Sequence, residues 1–226
     1  MAMHTDRRYE EDLAKLRQLI LEIGGLVERQ IADAIRALRT ADRSLAEATI
    51  ERDHEVNRYD VEIDEECLRI LALHQPAARD LRLITTGLKI TTDLERIGDM
   101  AVNVCERAIE LGEEARGLRF DLEPMSETAR KMLRECLDAF VREDTSLALA
   151  VCKEDDAIDA MHSQLFQEVL VDMTENRSTI VAGTALLFVS KYLERIADHA
   201  TNIAEMVIFM VKGKSIRHLS VVPSTV

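Results

Sequence analysis

From Leu13 the apolar positions fall at Leu13, Leu16, Leu19, Ile20, Ile23, Leu26, Val27, Ile31, Ala34, Ile35 and Leu38. Steps of three and four align these residues on one side of a helix, and predict a helix over residues 6–40. Ser44 followed by Glu47 has the form of a capping box. It would open a second helix whose buried stripe holds Ile50, Val56, Ile63, Cys67 and Ile70, and which must end before Pro76. A third helix is expected from about residue 78 to Gly112, since glycine suits a C-terminal cap. After a loop over residues 112–123, Pro124 suits a first helical turn, and Met132, Leu133, Leu137 and Phe140 restart the pattern. Asp144 would cap a helix running to about Glu175, Ser178 or Thr179 the next, and Gly213 would close that one near Lys212.

The six helices fall into two similar sets. Residues 94–106 and 193–205 are identical at eight of thirteen positions, at an offset of 99. Upstream, Ala37, Leu38, Asp42, Leu45, Ala46 and Asp53 match Ala139, Phe140, Asp144, Leu147, Ala148 and Asp155 at an offset of 102. A duplicated unit of roughly a hundred residues follows. The expected fold is all-α, with two tandem antiparallel three-helix bundles, helices of roughly 20–35 residues and a length of about 45 Å. The expected divisions are 1–115, 116–214 and a C-terminal tail, 215–226.

Composition narrows the class. Only 8 Gly, 3 Pro and 4% aromatics interrupt a chain that is 47% apolar, which suits long helices with a packed core. The formal charge of −13 argues against nucleic acid and anionic membrane surfaces, leaving cations and basic protein surfaces as partners. No apolar run approaches the roughly 20 residues of a membrane span, and the charged N-terminus lacks a signal-peptide core, so the expected location is cytoplasmic. Cys67, Cys105, Cys136 and Cys152 lie in helical patterns without a Cys-x-x-Cys pair and read as reduced core thiols.

The repeated segment has two chemically distinct sides. Leu94, Ile97, Ala101 and Val104 share one side of the helical wheel; Glu95, Asp99, Asn103 and Glu106 share the other within roughly 80°. Leu193, Ile196, Ala200 and Ile203 repeat the first set, and Glu194, Asp198, Asn202 and Glu205 the second. An acidic outer face is ordinary solvated surface, relieved here by Arg96 or Arg195. Yet like charges four residues apart cost a helix roughly 0.2–0.5 kcal/mol per pair, and a bound cation would convert that repulsion into ligation. Asp53 with Asn57, and Asp155 with Asp159, offer complementary groups on the preceding helices. Such oxygen ligands favour hard cations: Mg²⁺, Ca²⁺, Mn²⁺ or iron.

Support for catalysis is weak. His54, His74 and His162 have no Ser or Cys partner at a recognisable spacing, and His199 reads as a local surface residue because its counterpart is Met100. There is no Gly-rich phosphate loop and no His-Glu-x-x-His pattern. A carboxylate-metal enzyme or metal store on a helical bundle is the alternative, but no motif glutamate is followed by His three residues on. A helical adaptor whose acidic faces meet only water is a third reading.

The segment Gln75-Pro76-Ala77-Ala78-Arg79-Asp80-Leu81-Arg82, the segment Leu94-Glu95-Arg96-Ile97-Gly98-Asp99 with its second copy at 193–198, and Lys212-Gly213-Lys214 before Arg217-His218 resemble the PhoU family of phosphate-signalling proteins. The likeness extends over nearly the whole chain. It implies paired acidic motifs that hold clustered metal ions on the bundle surface: Asp53 with Asn57, Glu95 with Asp99, Asp155 with Asp159, and Glu194 with Asp198. Candidates for the metal are Mg, Mn, Fe or Zn. Asn57 stands where the family pattern has Asp, which would weaken the first site. The resemblance further implies a non-enzymatic, cytoplasmic negative regulator of the phosphate-starvation response. Its partners would be the ATPase subunit of the phosphate-specific ABC transporter and a sensor histidine kinase. A homodimer is plausible on the same basis, with membrane association only through partners.

Overall fold

A computed structural model of the chain describes residues 2–117 and 119–216. Arg217, His218 and the remainder of the expected tail lie outside the described residues. Six helices follow one another: α1 (Ala2–Thr40), α2 (Arg43–His74), α3 (Ala78–Leu111), α4 (Glu123–Arg142), α5 (Thr145–Glu175) and α6 (Ile180–Lys212). α1, α2 and α3 pack on one another, as do α4, α5 and α6. The two bundles then join along α3 and α6 and along α1 and α4, and one continuous apolar core runs through both. The repeated segments therefore lie on the two central helices. Their predicted inner residues, Leu94, Ile97, Ala101, Val104 and Leu193, Ile196, Ala200, Ile203, are all buried.

The helix ends differ in detail from expectation. α1 begins at Ala2, ahead of the predicted residue 6. α2 is capped by Asp42, whose carboxylate accepts the Leu45 N–H at 3.0 Å and the Ser44 hydroxyl at 2.7 Å. Glu47 pairs instead with Arg43 at 2.8 Å, so the capping box at Ser44 does not form. Ile50, expected in the buried stripe of α2, is only partly buried. The expected loop over 112–123 opens with a 3₁₀ turn, Gly112–Gly117, pinned by buried Ala115 and followed by buried Leu122. Before α6 a second 3₁₀ turn, Arg177–Thr179, is capped by Asn176, whose carboxamide oxygen accepts the Ser178 N–H at 3.2 Å. Thr179 occupies the N-cap position of α6 but makes no side-chain cap, because its hydroxyl donates back to the Asn176 carbonyl.

Other predictions hold. Asp144 caps α5 by accepting the Ser146 and Leu147 N–H groups, Pro124 lies in the first turn of α4, and Gly213 closes α6 at φ 67°. The four cysteines are free thiols, three buried and Cys152 half-buried. No helix among the described residues is long and apolar enough to cross a membrane.

Candidate functional site

The expected acidic groups converge in two places, one on each bundle. On the first, α2 supplies Asp53 and Asn57, and α3 supplies Glu95 and Asp99. Asp53 is half-buried, and its two oxygens are used locally. Oδ2 accepts the Asn57 amide at 3.1 Å, and Oδ1 accepts the Gln30 amide of α1 at 3.4 Å. Glu95 and Asp99 flank Arg96, which lies 3.5 Å from the first and 3.3 Å from the second. Burial pushes the Glu95 carboxyl above its usual range, and Asp99 adds to the shift; Arg96 opposes it, while Asp60 and Asp53 raise it further. Asp53, Asp60, Glu95 and Asp99 thus share one electrostatic field.

Two neighbours of this face carry no charge and shape it. Gln30 is fully buried, and its carboxamide oxygen has no hydrogen-bond partner, an unfavourable state for a group removed from water. Gly98 sits beside it in mid-helix, where a Cβ would stand 3.1 Å from Asp53 Oδ1 and 3.4 Å from Gln30 Oε1. Glycine costs a helix about 1 kcal/mol relative to alanine, and here it leaves room for both oxygens.

On the second bundle α5 supplies Asp155 and Asp159, and α6 supplies Glu194 and Asp198. Burial pushes the Asp155 carboxyl up to about 6, with Asp198 and Asp159 adding to the shift and the nearby Thr201 hydroxyl reducing it. Asp198 is raised by partial desolvation and then by Glu194, against Lys191 and His199. Glu194 is ion-paired with Lys191 one turn earlier. Asp159 and Asn57, which occupy the same place in the two bundles, are both exposed.

All eight expected residues therefore lie at the two faces. Their present arrangement is one of mutual repulsion relieved by Arg96 and Lys191. Among the described residues, no three His, Cys, Asp or Glu side chains are gathered closely enough to enclose a metal ion. The donor set still fits a hard cation: carboxylates from two helices, one with a strongly raised pKa, and at the first face a buried amide oxygen without a partner.

Several contributors escaped the sequence reading. Asp60 lies seven residues after Asp53, two helical turns along the same face. Gln30 interrupts an otherwise apolar stripe of α1, and its counterpart in the second bundle is Met132. His199 is not the local surface residue expected from its Met100 counterpart: Nδ1 lies 2.7 Å from Asp93 Oδ1 on α3, across the junction of the bundles. That pairing joins residues 106 positions apart, and no local pattern indicates it.

Comparison with known proteins agrees with this architecture. The PhoU domain family model matches residues 20–108 and 122–207, one match to each bundle. The phosphate-specific transport system accessory protein PhoU homolog of Pseudomonas putida is 42% identical over 218 residues, covering 96% of this chain and 85% of that protein. The crystal structure of PhoU from Pseudomonas aeruginosa superposes with a TM-score of 0.87 at 43% identity, covering 91% of this chain and 100% of that one. The phosphate transport system regulatory protein PhoU from Streptococcus pneumoniae gives 0.85 at 30% identity, covering 92% and 98%. With the duplicated bundle and the repeated Leu-Glu-Arg-Ile-x-Asp helices in their matching places, the chain belongs to the PhoU family.

Proposed function

We propose that this protein is a non-enzymatic regulator of phosphate uptake that restrains the phosphate-starvation response by contact with other proteins. The relatives it matches over 96% of its length are named as accessory proteins of the phosphate-specific transport system. The observation that carries the reading is the pair of matched carboxylate faces on α2/α3 and α5/α6. A surface of this kind suits basic segments of a partner, and the net charge of −13 steers in the same direction. The partners are the ATPase subunit of the phosphate-specific ABC transporter and a sensor histidine kinase. The location is cytoplasmic, with membrane association only through those partners.

A hard cation or iron-type ion held by Asp53, Glu95 and Asp99, and by Asp155, Asp159, Glu194 and Asp198, would supply charge neutralisation at each face. Asn57 donates its amide to Asp53 and contributes no negative charge, so the first face is the weaker of the two. Second-bundle residues Phe166, Leu170, Val181 and Phe188 are large, apolar and exposed, which supports a homodimer through that bundle. Co-purification of the protein with the transporter and the kinase, from cells grown at high and at low phosphate, tests the assignment. Capture of both partners in a phosphate-dependent ratio is expected; absence of both at either phosphate level would overturn it.

A further inference from the structure

The Gln75–Arg82 segment, which the acidic faces do not use, borders a separate cavity through Arg79 and Asp80. Gln75 ends α2 in the left-handed conformation at φ 46°, and the chain turns through Pro76 into α3. Three charged residues of the next turn then reach three distant parts of the chain. Arg79 pairs with Glu143 at the end of α4, Asp80 accepts the Tyr9 hydroxyl of α1 at 2.9 Å, and Arg82 Nε donates to the Met210 carbonyl of α6 at 3.0 Å. Between them lies a cavity of about 360 Å³, lined by Tyr9, Leu13, Arg17, Arg79, Asp80 and Glu143 among others. That volume lies within the range of small-molecule sites, which are usually about 300–1,000 Å³.

Two guanidinium groups converge on one carboxylate at the edge of the cavity. Arg17 Nη2 lies 3.3 Å from Glu143 Oε1, and Arg79 takes Oε2, so a single carboxylate serves two guanidinium groups. Arg17 Nε is buried without a partner. The first turn of α3 lines the cavity with Arg79 and Asp80, and its N-cap, Ala77, makes no side-chain cap to the helix terminus. Glu143 itself is held at φ 54°, a strained position for a residue with a side chain. A guanidinium presents a fork of two parallel donors, and with Arg17 Nη2 and Arg79 on separate oxygens of Glu143 and Arg17 Nε unpaired, the Arg17 fork is only half used.

We propose that this cavity binds a tetrahedral oxyanion, free or as the phosphoryl group of a small molecule, which takes Arg17 and Arg79 in place of Glu143. Glu143 acts as the internal competitor, and its release frees the α4–α5 turn. Exposed Glu10 and half-buried Asp80 also line the cavity, and their charge restricts the site to one such group and disfavours polyphosphates. Asp80 stays engaged by Tyr9, whose hydroxyl burial and Asp80 together push up to about 12, keeping it a donor. The inference is independent of the metal reading.

Isothermal titration of the full chain with inorganic phosphate, glycerol 3-phosphate and chloride at constant ionic strength tests it. Saturable binding of phosphate or glycerol 3-phosphate is expected, with none for chloride. Preference for inorganic phosphate identifies a free ion, and preference for the ester a phosphorylated molecule; either supports the site. Arg17→Gln abolishes binding. Glu143→Gln removes the competing charge and tightens binding at least ~3-fold, a gain that misfolding cannot mimic. Amide exchange in residues 143–147 accelerates on binding, and a chelator changes none of these results. Absence of saturable binding by both phosphate and its ester, or weaker binding by Glu143→Gln, would overturn the proposal.

Discussion

His199 Nδ1 lies 2.7 Å from Asp93 Oδ1, a bond that links the acidic helix of the second bundle to that of the first. Both side chains are mostly shielded, at 23% and 14% exposure. His199 directly follows Asp198, so the contact places the bundle junction beside the second acidic face. Removing one member of a shielded hydrogen-bonded pair that includes a charged group costs about 1–3 kcal/mol. His199→Ala and Asp93→Ala are each expected to lower stability by that order, and the double variant by less than their sum. A double-mutant cycle by urea unfolding checks this; strict additivity would show the pair to be uncoupled.

The second face makes stability depend on pH in a defined direction. Asp155 titrates near 6 in the folded chain against an ordinary 3.8, so between those values the native state holds a proton that the unfolded state has lost. This group's contribution therefore falls as pH rises from about 4 to 6, then levels off. After solvent screening the loss is on the order of 1–2 kcal/mol. Asp155→Asn should raise metal-free stability at neutral pH by a similar amount and flatten the profile across that window. An unchanged profile in unfolding midpoints measured from pH 4 to 7 would contradict the assignment.

At the first face, Asn57→Asp replaces an amide donor with a second carboxylate one helical turn from Asp53. The metal-free protein should lose stability, since the hydrogen bond is replaced by a like-charge pair that costs roughly 0.2–0.5 kcal/mol. Affinity for Mn²⁺ should rise, toward that of the face containing Asp155 and Asp159. Calorimetric titration of the two proteins compares them directly, and equal affinity would remove Asn57 from the site.

Gly98→Ala tests the packing of that same face. The added methyl would meet Asp53 Oδ1 at 3.1 Å, while alanine favours the helix by about 1 kcal/mol. Global stability should change little, and Mn²⁺ bound at the first face should fall, because Asp53 and Gln30 must shift. Unaltered stoichiometry would mean that the space beside Gly98 is not part of the site.

Much of this arrangement is visible in the chain. Long amphipathic periods, few breakers and the offset repeat specify the six helices and their pairing into bundles, because three-and-four spacing and caps are local properties. The wheel assigned Ile97, Ile196 and their neighbours to the core, and the carboxylates to the outside. Cap chemistry was less legible: Asp42 and Ser44 are alternative caps two residues apart, and the extended backbone at Asp42, φ −88° and ψ 91°, decides between them. Contacts between distant helices were hidden altogether. Gln30 beside Gly98, His199 on Asp93, and Arg79, Asp80 and Arg82 reaching three separate segments all depend on how α1, α3, α4 and α6 meet, which no local spacing encodes.

The central claim is that the two carboxylate faces bind a cation and present a surface to basic partners. Glu95→Gln combined with Glu194→Gln removes one charge from each face while keeping size and hydrogen-bonding capacity. Metal content by elemental analysis of untagged protein, measured together with retention of the transporter's ATPase subunit, tests it most directly. The account predicts that the double variant loses both bound metal and partner retention while remaining folded; wild-type levels of both would contradict it.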